Sequence, residues 1–206
     1  MTFDAIVVAG GRGSRLGGSE LGDKAIVELA GRPLVEHALA AVAGARLIVC
    51  VADNLPDSLP GDPLRCAEQP VGGGPLAAVA AGAQHVSARF VAVVAADTPF
   101  IGEALDDLHA AMGPGNADVV LLTDTGGRRH YLAAMWRTES LRAALDAVGD
   151  VGGTSMRTLY DLPHLDVVMV VDTKDATFDV DTPNDLAAAE RRIARAGPGV
   201  SRDSRW

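Results

Sequence analysis

Ala5-Ile6-Val7-Val8-Ala9-Gly10-Gly11-Arg12-Gly13-Ser14-Arg15-Leu16-Gly17-Gly18 opens on five consecutive apolar residues and runs without a break into a loop carrying five glycines and two arginines. A short apolar run with no alternation, ended by glycine, reads as a strand buried on both faces. Such strands belong to parallel sheets covered by helices on each side. The loop behind it has a chemistry of its own. Glycines let backbone N–H groups approach an anion closely, and Arg12, Arg15 and Lys24 add positive charge. Lys24 is one of only two lysines in a chain of net charge −9, so positive charge gathered here is out of character with the rest. The spacing is neither the dinucleotide fingerprint nor the Walker A pattern, which needs Gly-Lys-Ser/Thr.

Outward from this stretch, apolar runs alternate with helical spacing. Strands are expected at Arg46–Ala52, Leu64–Ala67, Phe90–Ala96, Val119–Leu122, Tyr131–Trp136 and Val167–Val171. Helices are expected at Leu34–Val42, Gly74–Val86 with Pro75 in its first turn, Ala104–Met112, Thr138–Val148, Ser155–Leu162 and Pro183–Ala196. Thr182 is the expected N-cap of the last. The class is α/β: a three-layer sandwich, Rossmann-like, around a mostly parallel sheet. Residues 1–196 read as one domain, and the polar 197–206 segment as a disordered tail. In such sheets ligands bind beyond the carboxyl ends of the strands. That singles out Gly10-Gly11, Asp53-Asn54, Glu68, Asp97 and the pair Asp179/Asp181.

Composition removes several function classes. The 206 residues carry 18 basic against 27 acidic side chains, which argues against a nucleic-acid binder with its basic face. The N-terminus lacks a basic region and a long apolar stretch, and no run approaches the ~20 residues of a membrane span; a soluble cytoplasmic protein is expected. Cys50 and Cys66 make neither a disulfide framework nor a zinc quartet and read as reduced core thiols. No Ser-His-Asp or Cys-His nucleophile set is readable. Arg128-Arg129 reads as solvated, with contact to a substrate phosphate as its alternative, while His130-Tyr131 could line an acceptor pocket or sit at the surface.

Val8-Ala9-Gly10-Gly11-Arg12-Gly13-Ser14-Arg15-Leu16-Gly17 followed by Asp23-Lys24 resembles the signature of the MobA family, the molybdenum cofactor guanylyltransferases. A looser version runs through the wider GT-A-type nucleotidyltransferases. Further segments match in order: Gly74-Pro75-Leu76-Ala77, Ala96-Asp97-Thr98-Pro99-Phe100, His130 to Trp136, and Phe178-Asp179-Val180-Asp181-Thr182-Pro183-Asn184-Asp185-Leu186. Together they cover roughly residues 4–193. The resemblance implies transfer of GMP from GTP to the phosphate of molybdopterin, giving molybdopterin guanine dinucleotide and pyrophosphate. It also implies a Mg2+ cofactor and transient contact with cofactor-synthesis proteins and molybdoenzymes.

Nucleotidyl transfer is mostly positioning and charge neutralisation, needing donors around the triphosphate and carboxylates for a divalent cation. By resemblance, Val8, Ala9, Gly10 and Gly11 lie against the nucleotide, and Lys24 reaches it as a point charge. Arg15, whose fork suits phosphate, stabilises phosphate charge. Asp97, after the most apolar strand, matches the metal-binding aspartate; its bland alternative is a helix cap. Glu68 falls where an acid recognises the nucleotide. Asp179 and Asp181 alternate across Val180 and so share one face of extended chain. Asp181 is a candidate second metal ligand, against the alternative of a surface turn in which Asp181-Thr182 caps the last helix. The chain departs from the family in a longer stretch between Gly17 and Lys24, in aspartates where the family has asparagines, and in Cys50 where some members have a base-contacting asparagine. Alternatives are a cytidylyltransferase for the same cofactor, a sugar-phosphate nucleotidyltransferase, and a non-catalytic nucleotide-binding member.

Overall fold

The computed structural model describes residues 2–10, 24–113 and 115–196. Gly11, Arg15 and the 197–206 segment lie outside them. Six strands, β1 (Phe3–Val8), β4 (Ile48–Val51), β5 (Leu64–Cys66), β6 (Phe90–Ala95), β7 (Val119–Thr123) and β9 (Val167–Val171), run in one direction. The seventh, β8 (Arg129–Arg137), is antiparallel to both its neighbours. The order across the sheet is β5-β4-β1-β6-β8-β7-β9. The chain builds outward from β1 to β5, then returns to the other side of β1 for β6. This is a topological switch, and the crevice beyond the carboxyl ends of β1 and β6 is where such folds place ligands.

Alternation along the strands explains the layers. Ala5, Val7 and Ala9 face one side with Ala92 and Val94 of β6. There α1 (Leu34–Ala41) covers them with Val35, Ala38 and Leu39, and α3 (Leu105–Met112) with Leu108 and Met112. Ile6, Val8, Val91 and Val93 face the other side, under α2 (Pro75–Ala83), α4 (Thr138–Val148) and α5 (Met156–Tyr160). Each fully buried Val, Leu or Ile contributes about 1.5–3 kcal/mol, and every residue of β6 is buried. Pro75 takes the first turn of α2. Gly82 lets that helix lie on β1, since a Cβ there would stand 2.7 Å from Ile6. Trp136 is fully buried and donates its indole N–H to Tyr160 Oη at 3.1 Å, which donates to the Tyr131 carbonyl at 2.7 Å.

A small hairpin, β2 (Glu28–Leu29) with β3 (Arg32–Pro33), has no counterpart in the sequence reading. It meets α6 (Pro183–Ala196) in a third cluster of Leu29, Leu34, Val180 and Ala189. Cys50 is a core thiol as expected, and burial pushes its pKa up to about 12. Cys66 is only partly buried: it lies on the edge strand β5, whose other two residues are exposed. At the opposite edge, β9 is apolar from end to end, with Met169 51% and Val171 55% exposed. Among the described residues no strand pairs with its outer edge. No described helix is long and apolar enough to cross a membrane.

Candidate active site

The end of β1 is fixed from both sides. Ala9 N–H donates to the Val51 carbonyl and Ala96 N–H to the Val8 carbonyl, each at 2.9 Å. The sheet thus carries on to the point where the glycine loop departs. Gly10 is exposed, and a Cβ built on it would meet nothing within 4 Å. Among the described residues this is open space over the switch point.

Asp97 lies two residues beyond β6. Its carbonyl accepts from Val180 N–H at 2.9 Å, which stitches the 178–181 segment to the end of the central strand. Thr98 turns the chain back by donating its hydroxyl to the Ala95 carbonyl at 2.9 Å. The Asp97 carboxylate caps no helix; its Oδ2 accepts from Lys24 Nζ at 2.7 Å. Asp181 Oδ1 accepts from the same ammonium. Residues 24, 97 and 181, far apart in the chain, therefore converge on one nitrogen. The Lys24 side chain is largely buried, and the longer stretch before it leaves it at the strand ends. Burial pulls the Lys24 pKa down, but Asp97 and Asp181 outweigh that and hold it above its ordinary value. Lys24 is a permanent cation at neutral pH.

The two alternative roles for Asp181 are separated by its neighbours. Asp185 N–H donates to Thr182 Oγ1 at 3.2 Å, and Thr182 N–H and Oγ1 donate to Asp185 Oδ2 at 2.8 and 2.7 Å. This reciprocal capping box starts α6, so Thr182 is the cap as expected and the Asp181 carboxylate is left for Lys24. Val180 is fully buried while Asp179 and Asp181 are part-exposed, as alternation requires. Asp179 stands 3.8 Å from the Arg128 guanidinium, itself 70% exposed.

Glu68 is engaged locally. Its two oxygens accept from Gly72 and Gly74 N–H at 2.9 and 3.1 Å, bracing the loop that enters α2. Among the described residues no group of three or more His, Cys, Asp or Glu side chains could enclose a metal. What the rim offers is a pair of carboxylates with an ammonium between them. Sequence reasoning missed what holds this pair in place. The rings of Phe100 and Phe178 pack at 6.3 Å, and the Arg192 guanidinium lies 3.9 Å over Phe100. The signal was there to read: each phenylalanine lies three residues from its acid, Phe100 after Asp97 and Phe178 before Asp181.

Comparison with known proteins bears on family and fold. Residues 5–170 match the model of the MobA-like NTP transferase domain. A molybdenum cofactor guanylyltransferase from Rhodobacter capsulatus is 32% identical over 96% of this chain and 100% of its own. Among solved structures, molybdopterin-guanine dinucleotide biosynthesis protein A from Archaeoglobus fulgidus superimposes with a TM-score of 0.72 at 21% identity, over 93% of this chain and 99% of that one. The 2-C-methyl-D-erythritol 4-phosphate cytidylyltransferase from Thermus thermophilus does so with 0.66 at 23%, over 95% and 100%. The two structures share the fold; the sequence matches go further and place this nucleotidyltransferase chain in the MobA-like NTP transferase family.

Proposed function

We propose that this chain transfers GMP from GTP to the terminal phosphate of molybdopterin. An acceptor phosphate oxygen attacks the α-phosphorus of GTP, the bond to the bridging oxygen breaks, and pyrophosphate leaves with that oxygen. The observation that carries the reading is the convergence of Asp97 and Asp181 on Lys24 at the carboxyl ends of the central strands.

The donor set fits Mg2+. This ion is commonly held by one or two carboxylates together with substrate phosphates, and two carboxylates already share one cation here. Asp97 and Asp181 are the residues that would hold it. Bound there, Mg2+ supplies charge neutralisation on the phosphates being separated. Lys24 performs that service for the two acids in the structure as it stands. Released from them, its ammonium neutralises phosphate oxygens of the nucleotide. Gly10, exposed at the head of the crevice, offers backbone to the nucleotide, and Val8 and Ala9 hold it there through their sheet bonds; Gly11 and Arg15, outside the described residues, are carried over by resemblance as a further backbone donor and a guanidinium for phosphate. Glu68 acts through the loop it braces, shaping the approach to α2. The curated guanylyltransferase similar over the whole chain supports GTP as the donor. The same reading brings a cytoplasmic location and hand-over of the product to cofactor-synthesis proteins and molybdoenzymes.

The test is pyrophosphate release with Mg2+ and molybdenum-loaded molybdopterin, comparing GTP, CTP and UTP. Release with GTP alone supports the assignment. Preference for CTP moves the protein to cytidylyl transfer, and silence with all three overturns the acceptor.

A further inference from the structure

The side of the crevice nearest Asp179 holds a side chain that nucleotide binding leaves unused. β8 bulges as it reaches the site: Leu121 of β7 pairs with Ala134, but Leu122 pairs with His130, so residues 131–133 have no partner on β7. A bulge of this kind re-aims a side chain. The His130 side chain is only 13% exposed, and its Nε2 is buried without a hydrogen-bond partner among the described residues. The Asp124 carboxylate, 4.0 Å away, is beyond hydrogen-bond distance. An unpaired buried polar atom is costly to keep, so its persistence at the rim that Asp179 and Arg128 share points to a ligand. Arg128, Asp179, Asp124 and Asp172 carry the charges that face the ring. Burial, reinforced by Arg128, lowers the His130 pKa against the pull of the three acids. The neutral imidazole can donate or accept a hydrogen bond. Arg128 stands at the same rim, its guanidinium mostly free and 3.8 Å from Asp179.

Sheet order divides the crevice. β6 carries Asp97 between β1, with the glycine loop, and β8, with His130. The β1 side serves the nucleotide, which leaves the β8 side for the second substrate. We infer that His130 and Arg128 form the acceptor subsite, the His130 ring turning to bring Nε2 onto the acceptor as a hydrogen-bond partner and Arg128 taking an anionic oxygen of its phosphate. The ligand class is a phosphate monoester on a polar carrier. The inference rests on the nucleotidyl-transfer reading of the neighbouring Asp97–Lys24–Asp181 group.

Equilibrium binding of molybdopterin, followed by quenching of its pterin fluorescence without nucleotide, tests this without turnover. His130→Phe and Arg128→Ala should each weaken molybdopterin about tenfold, the size of one lost hydrogen bond to a charged or polar partner. His130→Gln, which keeps a donor and an acceptor, should recover most of the loss. GTP binding should stay at the wild-type level in all three. His130→Phe should melt no lower than wild type, because it removes the unpaired atom. Unchanged molybdopterin binding by His130→Phe, or equal weakening of GTP, would overturn the assignment. If wild type fails to bind molybdopterin, the proposed acceptor is wrong, and the same variants are titrated with glucose 1-phosphate. Selective weakening then upholds the subsite; no binding, or none lost, ends it.

Discussion

Two aspartate sites lie at opposite ends of the same sheet, and they are built on different terms. At the amino end, Asp4 of β1 is fully buried, and its two oxygens accept four bonds: from Arg46 Nε and Nη2 at 3.1 and 2.9 Å, and from Ser87 and Ala88 N–H at 2.7 Å each. At the carboxyl end, Asp97 and Asp181 are part-exposed and share a single ammonium. The first site leaves its carboxylate no unused capacity and ties β1 to the segments before β4 and before β6. The second keeps oxygens in reserve on a rigid mount, since backbone bonds and the Phe100–Phe178 contact set the positions of the acids independently of what they bind. A saturated carboxylate holds a fold together; an undersupplied one is equipped to take a ligand.

The sharpest way to break this contrast is to exchange the charge at each end. Asp97→Asn should lower turnover by at least about 100-fold, the scale of losing one preorganised charge at a reacting centre. Its melting temperature should stay close to wild type. Near-normal pyrophosphate release would make the two ends alike. Asp4→Ala should do the reverse, costing about 2–3 kcal/mol of stability because two backbone amides lose a buried partner. The half-exposed Arg46 adds little to that cost. Denaturant unfolding reads the loss, and the folded fraction should keep its turnover number.

A pH series sharpens the comparison further. Burial raises the Asp4 pKa, but Arg46 and the Ala88 and Ser87 amides more than compensate, leaving it below the ordinary carboxylate value. A depressed folded pKa means stability that is fully present above the unfolded pKa of about 3.9 and is lost as pH falls through the folded value. The stability gap between wild type and Asp4→Asn should hold steady from neutral pH down to about 4 and then narrow. A gap that narrows already above pH 5 would show that Asp4 is not held as described. Lys24→Ala removes the ammonium the two acids share, at a stability cost of about 1 kcal/mol or less because both acids are part-exposed. Added Mg2+ should raise its melting temperature more than that of wild type, because the two carboxylates no longer have an internal cation. An equal response in both proteins would separate Lys24 from the metal-binding pair.

Most of the fold was legible because its elements are long enough to show their period. Thr138–Val148, Val167–Val171 and Pro183–Ala196 were read with the observed bounds. The hairpin of Glu28–Leu29 and Arg32–Pro33 was not, since two-residue strands have no period to detect. β8 runs Arg129–Arg137, longer than the expected Tyr131–Trp136, because its polar ends are held by neighbours and not by their own hydrophobicity. At the site, Asp97, Asp181 and Lys24 were each readable as candidates, but their meeting was not. It depends on the Val180–Asp97 backbone bond between distant segments. Glu68 braces its own loop through a local bond that a turn sets and no motif announces. The burial of His130 follows from a bulge, which no spacing announces.

The outer edge of β9, unpaired among the described residues, has a colloidal consequence. Five apolar residues with unpaired backbone groups are a template on which another copy could add a strand. Exposed Asp166 guards one end of that edge, and the net charge of −9 sets copies against each other before edges can meet. That guard is electrostatic. It weakens with added salt and vanishes near the isoelectric point of about 4.9. Under those conditions the outermost strand, which lies furthest from the chemistry, governs how long the protein stays dispersed.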